Sequence, residues 1–384
     1  MKAINQTVKN FKETIFATIT REAVANSAVN LGQGFPDFDG PPWVIEACKR
    51  ALGRGAEGKN QYAPAAGTPA LLAAISNNYE KYYDLMYDSA KEVTVTNGAT
   101  EAIFSTSLAL LNQGDEVIVF EPYYDSYVAS IELAGGKAVP VTLHAPDFTF
   151  DEKELEQAFT DKTKMVFFNT PHNPTGRVFT EQEMSVIAKL AQKHDCYVIS
   201  DEVYEFLTFA GKKHIPMATL PKMQERTITI SSTGKTFGLT GWKIGWTCAS
   251  PDVTHAIRMV HQFNTFCVNH PMQLAMAEAL DGLDDYLPEF LQEYSRKRDI
   301  LLSGLTKAGF SPLEPEGTYF AMAPIPVEGM TDVEYCMHLI KEKKVATIPP
   351  SAFYLKSKEG QKYLRFCFAK KDETIKSAME KLQS

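Results

Sequence analysis

The chain has 384 residues, of which 44% are hydrophobic and 22% charged, a composition that excludes a disordered, collagen-like or coiled-coil protein. Its length suits two domains or one large domain. The charges of 39 basic and 47 acidic residues sum to −8, so we expect neither nucleic acid nor a membrane surface as a partner.

The chain opens with an N-terminal arm, residues 1–40, that ends in a loop rich in Gly, Pro and Asp. Over residues 41–285, short runs of β-branched and aromatic residues alternate with helical segments such as Ala99–Leu111 and Glu181–His194. The predicted strands are Val93–Thr96, Glu116–Phe120, Lys137–Leu143, Met165–Asn169, Tyr197–Ser200, Thr227–Ser231 and Gly245–Cys248. This alternation predicts an α/β fold in which a mainly parallel, seven-stranded sheet lies between helices.

The pattern changes near residue 285, and residues 286–384 predict a smaller α+β domain that the arm helps to complete. A long polar helix over Asp285–Leu305 leads to short strands near Thr318–Ala323 and Lys362–Phe368. The chain ends in an amphipathic helix for which Asp372 is the predicted N-cap.

Cysteine and histidine usage bears on compartment and metal content. The six cysteines form no C-x-x-C pair and the eight histidines form no H-E-x-x-H motif. We therefore expect a reducing compartment, the cytoplasm, and no metal site. The chain also lacks a run of about 18 apolar residues, so we expect no membrane span.

Unusual residues follow five of the predicted strands, and ligands of open α/β sheets bind beyond the carboxyl ends of the strands. The segments are Asn97-Gly98-Ala99-Thr100, Glu121-Pro122-Tyr123-Tyr124-Asp125, Pro171-His172-Asn173-Pro174-Thr175-Gly176, Asp201 with Tyr204, and Ser232-Thr233-Gly234-Lys235. Each segment by itself has an ordinary structural explanation. A single lysine such as Lys235, for example, is most often a surface charge. Five different chemistries at successive strand ends nevertheless predict one binding site.

The side chains of this site suit an aldehyde cofactor with a protonatable ring. The Lys235 amine can bond to the aldehyde, and Asp201 can keep the ring nitrogen protonated, which makes the ring an electron sink. Tyr204 and Asn173 would donate hydrogen bonds to the ring oxygen. Tyr124 would stack on the ring face.

The same site has the groups needed to hold a phosphate. The backbone amides of Ala99 and Thr100 lie at the start of a predicted helix, where anions bind favourably. We expect Ser232 and Lys243 to complete this phosphate site.

The chain resembles the class I aminotransferases, enzymes of fold type I that use pyridoxal 5′-phosphate (PLP). The resemblance runs in family order over nearly the whole chain. It is carried by Asn60-Gln61-Tyr62, Asn97-Gly98-Ala99-Thr100-Glu101, Asn169-Thr170-Pro171-His172-Asn173-Pro174-Thr175-Gly176, Ser200-Asp201-Glu202-Val203-Tyr204, Ser231-Ser232-Thr233-Gly234-Lys235-Thr236, Gly241-Trp242-Lys243-Ile244-Gly245 and Arg365-Phe366-Cys367-Phe368. It implies a PLP-dependent transaminase that moves an amino group from an amino acid to a 2-oxo acid.

The resemblance also implies roles for individual residues. Lys235 matches the lysine that binds PLP and moves a proton during the reaction. Arg365 matches the arginine that binds the substrate α-carboxylate, and Gly34 and Asn173 match further substrate contacts. Tyr62 matches a residue that reaches the phosphate of the neighbouring subunit, which implies a homodimer with shared sites.

The substrate is indicated by the branch of the family that the chain resembles. The loop 31–38 and the segment 348–354 are similar to kynurenine/glutamine transaminases and bacterial methionine aminotransferases. Phe16 matches an aromatic position of the arm that lines the pocket for the substrate side chain. The implied donors are methionine, aromatic amino acids, kynurenine and glutamine.

Three other functions stay open at this point. The same residues could run β-elimination in a PLP-dependent carbon–sulfur lyase acting on cysteine S-conjugates. A PLP-binding transcription regulator would need a DNA-binding module, and no helix-turn-helix pattern fits the 40-residue arm. A simple phosphate-binding protein would not need the lysine.

Overall fold

The structure is a computed structural model that describes residues 2–53 and 60–384. Its strands are β1 (Val29–Asn30), β2 (Val93–Asn97), β3 (Glu116–Glu121), β4 (Lys137–Thr142), β5 (Thr163–Asn169), β6 (Tyr197–Asp201), β7 (Thr227–Ser232), β8 (Ile244–Cys248), β9 (Phe320–Pro324), β10 (Val345–Ala346) and β11 (Tyr363–Cys367). Its α-helices are α1 (Gln6–Asn10), α2 (Ile15–Ala25), α3 (Pro42–Gly53), α4 (Pro69–Tyr83), α5 (Gly98–Leu110), α6 (Ser126–Leu133), α7 (Glu152–Ala158), α8 (Glu181–Lys193), α9 (Thr233–Thr236), α10 (Pro251–Asn264), α11 (His270–Asp281), α12 (Leu283–Lys307), α13 (Asp332–His338) and α14 (Asp372–Gln383).

Strands β2 to β8 form one seven-stranded sheet in the order β2-β8-β7-β6-β5-β3-β4. The predicted fold is confirmed, and the ends of each predicted strand differ from the observed ends by no more than two residues. Strand β8 runs antiparallel to both neighbours, whereas the other pairs are parallel. The connection 233–243 between β7 and β8 is too short for a crossover helix, so the chain can only turn back.

The C-terminal part contains a two-stranded antiparallel sheet of β9 and β11, and the arm joins it. Strand β1 of the arm pairs in parallel with β10. Ile19 and Leu31 of the arm are buried in the same hydrophobic cluster as Leu364 and Phe366 of β11. This packing holds the arm against the C-terminal part of the chain.

The prediction for the start of the last helix is wrong by one residue. Lys371 is the N-cap of α14, and Asp372 is the first helical residue. The Asp372 carboxylate forms ion pairs with Arg296 and Lys297 of α12 instead of accepting from the first turn of its own helix. Cationic partners on the neighbouring helix thus replace the backbone amides that define an N-cap.

Across the two described ranges, we find no helix with both the length and the apolar character needed to cross a bilayer.

Candidate active site

A pocket lies at the carboxyl edge of the seven-stranded sheet, where ligands of α/β proteins bind. The structure brings nine of the predicted residues together in its lining: Ala99, Thr100, Tyr124, Asn173, Asp201, Tyr204, Ser232, Lys235 and Lys243. Six parallel strands end at this edge, and the antiparallel β8 begins there. This reversal explains why Lys243, directly before β8, reaches the same pocket as residues that follow strands.

Lys235 lies in α9, the single helical turn that follows β7. Its Nζ donates hydrogen bonds to the hydroxyl of Tyr319 at 2.8 Å and to the carbonyl oxygen of Gly34 at 3.3 Å. Burial lowers the pKa of the amine to about 8, because a charged ammonium loses hydration in the pocket. A substantial neutral fraction is therefore present near neutral pH, as nucleophilic and basic chemistry requires.

Asp201 is a buried carboxylate at the end of β6. One oxygen accepts a hydrogen bond from the Tyr127 hydroxyl at 2.6 Å, and the other accepts from the Val203 amide at 3.4 Å. Burial raises its pKa to about 6, so a cationic partner in the pocket would compensate its lost hydration. The sequence interpretation missed Tyr127, which lies in the first turn of α6 and packs edge-on against Tyr124, with 5.7 Å between ring centroids.

Arg365 lies in β11 and is almost completely buried, with 1% of its surface exposed. It donates to Asn173 Oδ1 at 3.0 Å and to the carbonyl oxygen of Gly32 at 2.8 Å, and it packs 4.0 Å from the centroid of the Phe320 ring. A guanidinium has five donors, so these two bonds leave donors for a carboxylate ligand. Burial lowers the pKa of Arg365 below its usual value, but an arginine stays charged at any physiological pH.

The arm supplies two backbone carbonyl groups that contact residues of the site. Gly32, which was not predicted, contacts Arg365, whereas the carbonyl of the predicted Gly34 faces Lys235 and Tyr319. A Cβ on Gly34 would lie 2.8 Å from the Phe320 ring, so only glycine lets the arm approach this closely. The predicted contact between Gly34 and a substrate carboxylate stays a prediction.

The predicted phosphate site is a helix start packed against a strand. Ala99 and Thr100 lie in the first turn of α5, where backbone N–H groups have no partner within the helix. A Cβ on Gly245 would come within 2.7 Å of the Ala99 nitrogen, so glycine lets this turn approach β8 closely. A Cβ on Gly98 would similarly lie 2.9 Å from the Lys243 ammonium, which places that charge directly over the turn.

A buried contact between a carboxylate and an imidazole holds this turn in place and was not predicted. Glu101 accepts a hydrogen bond from the backbone N–H of Asn97 and lies 2.6 Å from His261 Nδ1. His261 Nε2 lies 2.8 Å from the carbonyl oxygen of Ala65. A carbonyl oxygen can only accept, so Nε2 carries a proton, and the imidazole links the turn to the loop before α4. His261 lies 160 residues from Glu101 and 196 residues from Ala65 along the chain, so no local sequence pattern indicates these contacts.

Four predicted residues lie outside this lining: Gly34 and Arg365, described above, and Phe16 and Tyr62. Phe16 of α2 lies beside Arg365, with its ring centroid 5.3 Å from the guanidinium carbon and 5.8 Å from the Phe353 ring. Tyr62 is 80% exposed and packs edge-on against Phe266, with 5.1 Å between ring centroids. Tyr62 therefore faces outward from its own chain.

The pocket residues fit PLP. Among the residues that the structure describes, the buried Asp201 carboxylate accepts hydrogen bonds only from the neutral Tyr127 hydroxyl and Val203 amide, and a protonated ring nitrogen would supply a cationic partner. The turn at Ala99 and Thr100, with Lys243 above it, is a cradle for a phosphate. The Lys235 amine opens onto the same pocket and can reach an aldehyde placed between these two ends.

Comparison with known proteins gives a consistent result over the whole chain. Residues 26–382 match the family described as aminotransferase class I and II. The chain is 41% identical to methionine aminotransferase of Escherichia coli, with 96% of this chain and 95% of that protein covered. It is 39% identical to kynurenine–oxoglutarate transaminase of Dictyostelium discoideum, with 97% and 94% covered. The solved structure of N-succinyldiaminopimelate aminotransferase from Mycobacterium tuberculosis superimposes with a TM-score of 0.95 at 39% identity, covering 99% of both chains.

Proposed function

The chain belongs to the class I and II aminotransferase family and is a PLP-dependent transaminase, and we propose that its amino donors are methionine, aromatic amino acids, kynurenine and glutamine. The observation that carries this proposal is the aromatic wall around Arg365. The rings of Phe16, Phe320 and Phe353 lie 4.0 to 5.5 Å from its guanidinium carbon. A substrate whose carboxylate is bound there has its side chain close to apolar and aromatic surface. The names of the relatives in Escherichia coli and Dictyostelium support methionine and kynurenine among these donors.

In this proposal, Arg365 binds the α-carboxylate through two parallel hydrogen bonds, and Asn173 keeps its guanidinium in place. Binding at this point aims the substrate Cα and amino group at the pocket that contains Lys235. The low exposure of Arg365 excludes water from the charge pair, which strengthens it. In this proposal, β11 and the arm thus orient the substrate and shield its carboxylate from water.

When bound, PLP supplies an electron sink for the negative charge that develops at the substrate Cα. In the proposed arrangement, Asp201 holds the proton on the ring nitrogen and Tyr127 keeps the Asp201 carboxylate in place. Lys235 would take the proton from the substrate Cα with its neutral amine and, as an ammonium, would release it to C4′ of the cofactor. The lowered pKa of Lys235, about 8, suits a group that must both accept and release a proton near neutral pH.

We expect good and poor amino donors to be distinguished by an assay of several amino acids against several 2-oxo acids. kcat/KM for methionine, phenylalanine, kynurenine and glutamine should exceed that for aspartate by at least about tenfold, since an apolar wall does not compensate a desolvated side-chain carboxylate. Initial rates of 2-oxo acid formation give this ratio, and a cysteine S-conjugate assayed for pyruvate and ammonia tests lyase chemistry. Equal values for aspartate and methionine would contradict the proposed donors.

We propose that the enzyme is a homodimer in which Tyr62 reaches the phosphate in the partner subunit's pocket. Two observations support this. Tyr62 is 80% exposed and lies outside the lining of its own pocket. It packs against Phe266, which is 52% exposed, and Phe263, three residues earlier in the chain, is 87% exposed. An apolar patch of this kind is typical of a protein interface. Each site is then completed by a residue of the other chain.

This arrangement predicts that two defective chains rescue each other. Tyr62→Phe should weaken cofactor binding by about 10- to 100-fold through loss of one hydrogen bond to a charged group, and Lys235→Ala should be inactive. Hybrids of these two chains contain one intact site, so they should be active at a PLP concentration that saturates only the wild type. Hybrids of Lys235→Ala with Arg365→Lys carry no intact site and serve as the control. Failure of the first hybrid to exceed the control would rule out shared sites.

We also propose three structural units: the arm 1–40, a PLP-binding domain 41–285 and a small domain 286–384. The shared hydrophobic cluster of the arm and β11 supports grouping the arm with the small domain. Helix α12 spans the proposed boundary between residues 285 and 286, so it connects the two domains. A cytoplasmic location is supported by the six cysteines, all of which are free thiols.

A further inference from the structure

Tyr319 is a buried tyrosine that contacts Lys235, although no motif pointed to it. Its hydroxyl oxygen accepts a hydrogen bond from Lys235 Nζ at 2.8 Å, and its own proton is donated to the carbonyl oxygen of Gly34 at 2.5 Å. A phenol has a single proton, so a hydroxyl that donates to Gly34 can act toward Lys235 only as an acceptor. Burial holds the pKa of the Tyr319 phenol well above its usual value, so the hydroxyl keeps that proton.

The surroundings of Tyr319 hold its hydroxyl in one place. The ring packs against Tyr204, Phe320 and Tyr294, with centroid distances of 5.1, 4.8 and 6.2 Å. The preceding residue, Thr318, has a φ of 63°, a left-handed conformation that is unfavourable for a β-branched side chain. Such backbone strain persists only where the surrounding structure enforces it, and it is concentrated at functional sites.

We propose that Tyr319 is a positioning residue for Lys235, which holds the free amine at the pocket wall and links it to the backbone of the arm at Gly34. The link extends further, because Gly32, two residues earlier in the same loop, accepts from Arg365. The group that binds the substrate carboxylate and the amine that moves the proton are thereby connected through one short loop. This inference rests on the proposed role of Lys235.

The hydroxyl should stabilise the charged form of the amine, since an ammonium is a stronger donor than a neutral amine. Other ionisable groups also act on Lys235, and they are Asp201, Cys367, Arg365, Lys243 and Tyr204. The Tyr319→Phe substitution leaves all of these groups in the chain, and Tyr204 is the one among them that interacts with the Tyr319 hydroxyl itself. The Gly34 carbonyl, at 3.3 Å, also remains as a weaker acceptor.

The test measures the Lys235 amine directly in full-length enzyme freed of cofactor. Lys235 is acetylated with a trace of acetic anhydride across a pH series, and its modified peptide is quantified by mass spectrometry. Because only the neutral amine reacts, the midpoint of labelling reports the pKa of Lys235. Tyr319→Phe, which keeps the ring, should lower this midpoint by about one unit, a tenfold change in the acid dissociation constant.

Tyr294→Phe is the matched control, because Tyr294 is as deeply buried and its ring stacks on Tyr319. The midpoint of Lys235 labelling in this variant should equal that of the wild type. An unchanged midpoint in Tyr319→Phe, or an equal shift in Tyr294→Phe, would overturn the proposal. Since no cofactor is present, either result leaves the role of Lys235 standing, whereas a fully active Lys235→Ala variant would remove that role itself.

Discussion

Lys235→Ala is expected to lower kcat for transamination by at least about 10³-fold. The variant loses the amine that we propose for proton transfer and for covalent attachment of the cofactor, and the remaining pocket amine, Lys243, lies over the predicted phosphate site instead. Alanine leaves the turn of α9 intact, because α9 is held by β7 and by Thr233, whose hydroxyl donates to the carbonyl of Ile244. The loss should therefore appear in the chemistry and not in the fold.

The measurement is a single-turnover reaction with a good donor, together with borohydride reduction of the holoenzyme and peptide mapping. Reduction should attach the cofactor to the peptide that contains Lys235 in the wild type and to no peptide in the variant. Lys193→Ala is the matched control, because Lys193 forms an exposed ion pair with Glu156 far from the pocket lining. A tag on another lysine, or near-normal turnover by Lys235→Ala, would refute the assignment.

Arg365→Lys should lower kcat/KM by about 10²- to 10³-fold for every amino donor and 2-oxo acid. Lysine keeps the charge but presents it as a point, so it cannot bind a carboxylate through two parallel bonds while also holding Asn173 and Gly32. The site is almost fully buried, so water cannot replace the lost contacts. The effect should be uniform because the α-carboxylate is common to all of these substrates.

A series of donors with different side chains measures this uniformity. An amine without a carboxylate, which does not use Arg365, should react no more slowly with the variant than with the wild type. A loss smaller than tenfold, or one confined to a single donor, would show that the carboxylate is bound elsewhere. Circular dichroism and thermal melting establish that both proteins are folded, which matters because Arg365 is also packed against Phe320.

The strands and most of the pocket residues could be predicted because their signals are local. Each strand is a short apolar run, and chemically unusual residues such as Asp201 and Lys235 follow directly at its end. Parallel strands carry such residues to one edge by geometry alone, so the pocket follows once the alternation of strands and helices is recognised. Lys243 differs from these residues, since it precedes a strand and reaches the pocket only because β8 is reversed.

Contacts between distant parts of the chain were not predictable. Tyr319 meets Lys235 across 84 residues, and Gly34 meets Lys235 across 201. Tyr127 reaches Asp201 across 74 residues. Tyr319 and Tyr127 are ordinary residues in their own segments, and each acquires its role only from the partner that packing places beside it.

By itself, the sequence determined the α/β class, the seven strands, the family and the chemical character of the site. All of these depend on short-range patterns of side chains. Tertiary structure alone decided the order of the strands, the direction of β8, the choice of Gly32 as the carbonyl that holds Arg365, and the placing of Tyr319 against the reactive amine. The reason is physical: a hydrogen bond depends on distances of about 3 Å between atoms, and those distances are set by how whole layers pack rather than by any neighbour in the chain.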